Sequence, residues 1–348
     1  MTALPLQAPV APDRVAVVQA ARRRPRRRLL LVWTGLGSAT VVAFLARVLL
    51  GDFTFTVPDA VRIVLGEEIP GASFILMETK LPRAVLAVLV GLALGISDAI
   101  FQGSLRNPLA APDIVGVAMG ASAAATFAII GLGHEGHAIA IWAAGGALVM
   151  AAVVRLAGGS GSRLILVGVG ATVALQALVQ YLFTRADEYD AHTALRWLTG
   201  SVGEATWTQI WLVAVGLLVL LPLTALLVKN LGVTELGPDL ATGLGVGPRR
   251  SDLVLLVAVL LVALAVAVAG PVSFVAFLSG PIARALNRGR RTLVGAGLTG
   301  ALIVVAAEYP ADYLFPDVNY PVGVVTGALG APFLLWLLAT GRAGRSSR

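Results

Sequence analysis

The chain has 348 residues, 57% of them hydrophobic and 13% charged, where roughly a quarter charged is usual for a soluble protein. That excludes a soluble two-domain protein and places the chain in a membrane. Lys and Arg number 26 against 19 Asp and Glu, a formal +7, and there is no cysteine, so disulfides, thiol nucleophiles and cysteine metal sites are excluded too.

In chain order, residues 1–28 form a basic tail that includes the run from Arg22 to Arg28. Such a run is a familiar nucleic-acid patch, but directly before a first apolar span it sets orientation by the positive-inside rule, and no nucleic-acid partner is expected. The first apolar run lacks signal-peptide character and is read as a retained span. Splitting at polar and Pro/Gly-rich breaks gives ten candidate spans: 29–50, 81–104, 113–132, 137–157, 163–183, 207–228, 252–269, 271–286, 292–310 and 321–340. Runs near the roughly 20 residues needed to cross a bilayer must be helical there. The fold class is therefore an all-α polytopic membrane protein, one ten-helix domain over 29–340, with a short tail at 341–348. Both termini are expected in the cytoplasm. On that topology twenty of the 26 basic residues face the cytoplasm and acids gather outside, as the rule requires.

Span eight is short and flanked by Gly270-Pro271 and Gly280-Pro281, which predicts a bent helix or two half-helices covered by protein or lining water. The segments Gly116–Ala121 and Gly323–Ala328 share the form GVxxGA. Close packing of small residues and an inverted repeat both fit that pattern.

Four features carry candidate chemistry. Lys80 and Arg83 at the outer mouth of span two run against the charge trend, and fit either lipid snorkelling or an exposed pair that receives acids of an external partner. Asp98 stands in the middle of span two, where a carboxylate must face protein or a water-filled pathway. Two readings of it stay open: a structural acid bonded to neighbouring helices, or a residue lining the pathway. The inner loop 229–252 repeats Val233, Leu236, Leu240 and Leu244 at helical spacing with Glu235, Asp239 and Thr242 facing away. A membrane-surface helix would put Lys or Arg on its polar face, so docking on a cytoplasmic protein is the better reading. The outer loop 184–207 is acidic in its first half and holds Trp197 and Trp207, read as interface anchors. No GxxxxGK[ST], HExxH or GxSxG motif is present, so an enzyme is not expected and nucleotide hydrolysis would come from another chain. Few ionisable groups inside the spans argue against an ion-coupled secondary transporter.

The block "KLPRAVLAVLVGLALGISDAIFQGSLRNPLAAPDIVGVAMGASAAA" resembles the FecCD-type permeases, membrane subunits of ABC importers for ferric siderophores, haem and vitamin B12. "LRWLTGSVGEATW", "LATGLGV", "GPVSFVAFLSGPIAR" and "YPVGVVTGALGAPFLLWLL" follow in the family's order. The resemblance implies a type II importer permease of ten helices that dimerises, with an identical or a paralogous second permease, around a central pathway. Two cytoplasmic ATPase subunits and an extracytoplasmic binding protein are the other implied partners, in the bilayer of a bacterial cytoplasmic membrane. It implies no cofactor or metal on this chain, with ATP-Mg held by the ATPases. "WLTGS" at Trp197–Ser201 is most similar to the siderophore branch; haem or vitamin B12 is the alternative cargo.

By the same resemblance, Lys80 and Arg83 receive acidic residues of the binding protein. Asn107 and Leu109, with Gly161 and Ser162, are the cytoplasmic gate. Val233, Leu236, Asp239, Leu240, Ala241, Leu244, Gly245 and Val246 form the coupling segment for the ATPase. The chain departs from the family in placing Asp98 where many members have Gly, Ile282 where many have His, and Asp312 and Asp317 where some members place a basic docking residue.

Overall fold

The computed structural model describes residues 14–107, 110–113, 115–159, 162–314 and 319–339. No strand occurs among them. Seven helices are long and apolar enough to cross a membrane, and Val117–Gly131, Val275–Leu286 and Val322–Trp336 are shorter apolar helices. Together they fall on the ten spans expected from sequence.

The elements are α1 (Arg14–Leu49), α2 (Val57–Val64), α3 (Ala72–Phe74), a π-helical stretch Ile75–Lys80, and α4 (Leu81–Ser104). Then come α5 (Val117–Thr126) with a π-helical end, α6 (His137–Gly158), α7 (Ser162–Phe183), α8 (Glu188–Thr199) and α9 (Trp207–Thr234). The last five are α10 (Pro238–Gly243), α11 (Pro248–Ala269), α12 (Val275–Leu286), α13 (Leu293–Tyr313) and α14 (Val322–Ala339). The end of the bundle that holds the C-terminus of α1 and the N-terminus of α4 is called the upper end; α10 lies at the lower end.

Helix α4 is the axis. It packs against α1, α9, α11, α12 and α13, and 72% of its apolar window is buried, against 11% for α1 and 17% for α7. Without a hydrophobic drive between helices in lipid, association depends on close contact of small residues. Gly91 faces the backbone of Gly300 and Ala301, and Gly95 that of Ala296 and Gly297; a Cβ on either would collide with α13. Gly120 and Gly146 pack α5 on α6 in the same way. In the two GVxxGA copies, Gly116, Gly120 and Gly323 each press on a neighbouring segment, whereas Gly327 has only Ser273 within reach. Packing thus accounts for three of these four glycines.

The structure departs from the sequence reading in four places. Span two does not begin at residue 81: its helix continues through the π-helical stretch to Ala72. Span eight is not two half-helices. It is one helix of 12 residues, about 18 Å long at the usual rise, entered through Gly270 and Phe274 at positive φ. The uncovered backbone there is met by protein: Ser201 N donates to Ala269 O at 2.7 Å and Gly323 N to Gly200 O at 3.0 Å. So the outer "WLTGS" loop plugs the entry to α12, as the ban on bare polar backbone in lipid demands. Two loop segments fold as helices α2 and α8, capped by Thr56 and Asp187. Trp207 is held by protein, its indole N–H donating to Met77 O at 2.9 Å.

Replacing Gly91 or Gly300 with Val should destabilise the purified protein by about 1–3 kcal/mol or more through overpacking. Gly35→Ala, where nothing lies within 4 Å, should change little. Thermal unfolding in detergent checks both.

Candidate functional site

At the upper end, residues 50–80 fold into a small cap whose apolar cluster includes Val48, Phe55, Ile63 and Leu76. Lys80 is sealed beneath it. The side chain is only 4% exposed, donates to Leu50 O at 2.7 Å and to Phe53 O, and lies over the Phe55 ring. The expected exposed pair is therefore not a pair. The cap, invisible in the spacing of Lys80 and Arg83, turns Lys80 into a staple between α4 and the loop after α1.

Arg83 stays partly accessible and lies 3.4 Å from Asp312. Asp312 also pairs with the buried Arg47, which lies 3.6 Å from the buried Glu308. Breaking a buried pair of this kind leaves an uncompensated charge, so these four residues fix the upper ends of α1, α4 and α13 to one another. Arg47, Lys80, Arg83, Asp52, Asp312 and Asn319 take part in lining a cavity of about 270 Å³ at this end. Asp312 thus answers Arg83 within the chain. Asp317 lies outside the described residues.

Midway down α4, Ser97 Oγ donates to Ala258 O of α11 at 2.8 Å. Asp98 is fully buried. One carboxylate oxygen accepts from the Gly280 N–H of α12 at 2.7 Å and the other from the Gln102 amide at 2.6 Å. Of the two readings of Asp98, this geometry is that of an acid bonded to neighbouring helices. The bond partner is 182 residues away in sequence.

At the lower end α4 stops at Ser104; in the turn that follows, Arg106 adopts φ 51° and brings its guanidinium against Gly237. Asn107 follows, its carbonyl accepting from Ala110 N at 3.1 Å. Leu109 and Gly161 lie outside the described residues; Ser162 is the first residue of α7. The chain after the turn packs directly on α7, with Val115 against Gly168 and Gly116 against Thr172.

Val233 is not part of a separate coupling helix, because α9 runs on to Thr234. The segment proper is the turn after Glu235 and α10. Its Leu236, Leu240 and Leu244 are exposed, 53%, 61% and 62%, while Ala241 and Val246 are buried. Asp239 and Gly245 are exposed. Three leucines in and beside α10 are thus exposed at the end of the bundle.

The sequence profile of the FecCD transport family matches residues 39–340. The chain belongs to the FecCD transport family. Among its relatives, the ferric enterobactin transport system permease protein FepG of Escherichia coli is 38% identical over 90% of this chain and 96% of its own length. The Fe(3+)-citrate import system permease protein YfmE of Bacillus subtilis is 34% identical over 91% and 96%. Among solved structures, a metal-chelate type ABC transporter in an inward-facing conformation superposes with a TM-score of 0.77 at 25% identity, covering 89% of this chain and 99% of that one.

Within this FecCD fold, the span at α7 carries two glutamines that the sequence reading did not single out. Gln176 and Gln180 are both exposed on it, as are Val173 and Tyr181. Polar side chains within a span are costly against lipid. The alternation of Gln176 and Gln180 at one-turn spacing was the available signal.

Asp98→Asn retains an oxygen for Gly280 N–H and an amide that Gln102 can meet by rotating, so it should cost about 1 kcal/mol or less. Asp98→Leu strands both donors and should cost roughly 1–3 kcal/mol for each group left unpaired. Thermal unfolding of the two variants decides between them.

Proposed function

We propose that this chain is the membrane-spanning permease subunit of an ATP-driven importer in a bacterial cytoplasmic membrane. It passes a ferric siderophore, delivered by an extracytoplasmic binding protein, through a pathway shared with a second permease subunit. The observation that carries the reading is the exposed apolar segment holding Leu236, Leu240 and Leu244. It sits at the end of the bundle where the basic residues cluster, away from the hydrocarbon, and exposed apolar patches of this kind mark protein contacts. Two ATPase subunits are its fitting partners, holding ATP-Mg while this chain carries no cofactor.

The second permease subunit is supported by α7, whose Gln176 and Gln180 need water or protein rather than lipid beside them. Of the two basic residues assigned to docking, Arg83 is the one that a binding protein's carboxylate can reach, since Lys80 is occupied. The gate is assigned, by the family resemblance of their motifs, to Asn107, Leu109, Gly161 and Ser162. Against an ion-coupled mechanism, Asp98 and Glu308 both have partners inside the protein, so neither is a spare carboxylate for a proton relay. The iron-chelate cargo follows the ferric enterobactin and ferric citrate transport named for the relatives.

Leu240→Asp combined with Leu244→Asp should abolish co-purification of the ATPase while the fold persists. A loss of more than about 30-fold in affinity is expected from charging a central apolar contact. Unchanged association removes the coupling assignment. Arg83→Glu should weaken capture of the binding protein about five-fold or more, with the effect shrinking as salt is raised. Surface-immobilised transporter titrated with binding protein at two ionic strengths measures it.

A further inference from the structure

A polar line runs from the coupling segment into the middle of the membrane domain. Glu235 closes α9 immediately before the turn to α10. Its Oε1 lies 3.2 Å from Nη1 of Arg291, in the loop between α12 and α13. The same Nη1 donates to Gln102 O at 3.2 Å, one of the last carbonyls of α4, which have no partner within the helix. An Nη1 group carries two N–H bonds, so both acceptors are served at once. The Gln102 side chain then bonds Asp98, and Asp98 bonds Gly280 N–H of α12.

The contact is tight because Gly103 has no side chain: a Cβ there would lie 2.9 Å from Leu231 Cδ1 and 3.0 Å from Glu235 Oε1. Beside it Arg106, in a left-handed conformation, covers Gly237. The gate turn and the coupling turn thus touch at Gly103, at Arg106 and through Arg291.

Ordinary capping of a helix C-terminus by an arginine needs only the Gln102 carbonyl. Here the cap is shared with the acid at the root of α10. A second feature sets the line apart from a static cap. Gln102 Oε1 is buried with no hydrogen-bond partner, beside Gly280. The unmet atom leaves this joint between Asp98 and Gly280 less than fully bonded, so displacing it breaks fewer hydrogen bonds than displacing a fully satisfied buried network.

We infer that Glu235 and Arg291 are positioning residues of the transport cycle: they lock the coupling segment to the lower end of α4, so that its displacement moves the gate turn and reaches α12 through Gln102 and Asp98. This rests on the importer reading for its driving force. The lock itself is a property of this chain alone. Pulling the α10 segment away separates Glu235 from Arg291 and releases the Gln102 carbonyl, freeing α4 at the point where its turn begins.

The chain has no cysteine, so nitroxide labels can be placed at the exposed Leu236 and Leu286 without background. In the purified chain, the distance distribution between them should be narrow, should broaden alike in Glu235→Gln and Arg291→Gln, and should broaden no further in the double variant. Distributions unchanged by either variant, or broadening that adds in the double, overturn the lock. In the assembled transporter, reconstituted with ATPase, binding protein and a ferric siderophore, each variant should lower iron uptake per ATP hydrolysed about three- to ten-fold. The double variant should match the singles, with ATPase association retained. Uptake and hydrolysis falling in proportion would mark a merely structural role and overturn the inference. Absence of ATP-dependent uptake in the unmodified transporter would sink the importer reading instead, and the label distances would still judge the lock.

Discussion

Backbone-to-backbone packing of α4 on α13 is the constraint on which the other contacts of the bundle depend. Gly91 and Gly95 bring α4 against Ala296, Gly297 and Gly300, closer than any side chain would permit. In lipid, where burying apolar surface between helices gains little, this closeness supplies the association. Once α4 is held there, Ser97 reaches Ala258, Asp98 reaches Gly280, and Arg83 reaches Asp312. One helix thereby gathers α11, α12 and α13 and joins the polar network at one end to the coupling segment at the other.

Asp98 shows how a costly residue becomes a specific one. A carboxylate in the middle of a span is expensive unless its oxygens are bonded. Here it accepts from a backbone N–H in a short helix that contains a proline, so Gly280 and Asp98 define where α12 sits. A Cβ at position 280 would strike both Asp98 and Gln102. The glycine at 280 therefore makes the room that the carboxylate at 98 needs.

The ten spans were legible because length, hydropathy and charge bias act locally and leave their mark on every run. The coupling leucines were legible for a similar reason, since all three fall within one short polar and glycine-rich stretch of chain. Val233 was misplaced because α9 continues through the polar residues that the sequence offers as a boundary. Lys80 was misread because its environment is made by a cap of residues 50–80, whose partner carbonyls, Leu50 O and Phe53 O, lie about one cap length away in sequence. The partners of Asp98 and Arg291 come from segments far apart in sequence, and no periodicity records such a meeting. Gln176 and Gln180 were visible as letters, but only the packing of α7 shows that both are left exposed within one chain.

The central claim is that the energy for transport enters through the lower end from a separate ATPase. Vesicles containing the full transporter, loaded with ATP and given binding protein and a ferric siderophore outside, measure this directly. Iron should accumulate only with ATP present, and should continue to do so when ionophores collapse proton and sodium gradients. Uptake by this chain without the ATPase, driven by an imposed ion gradient, would contradict the account.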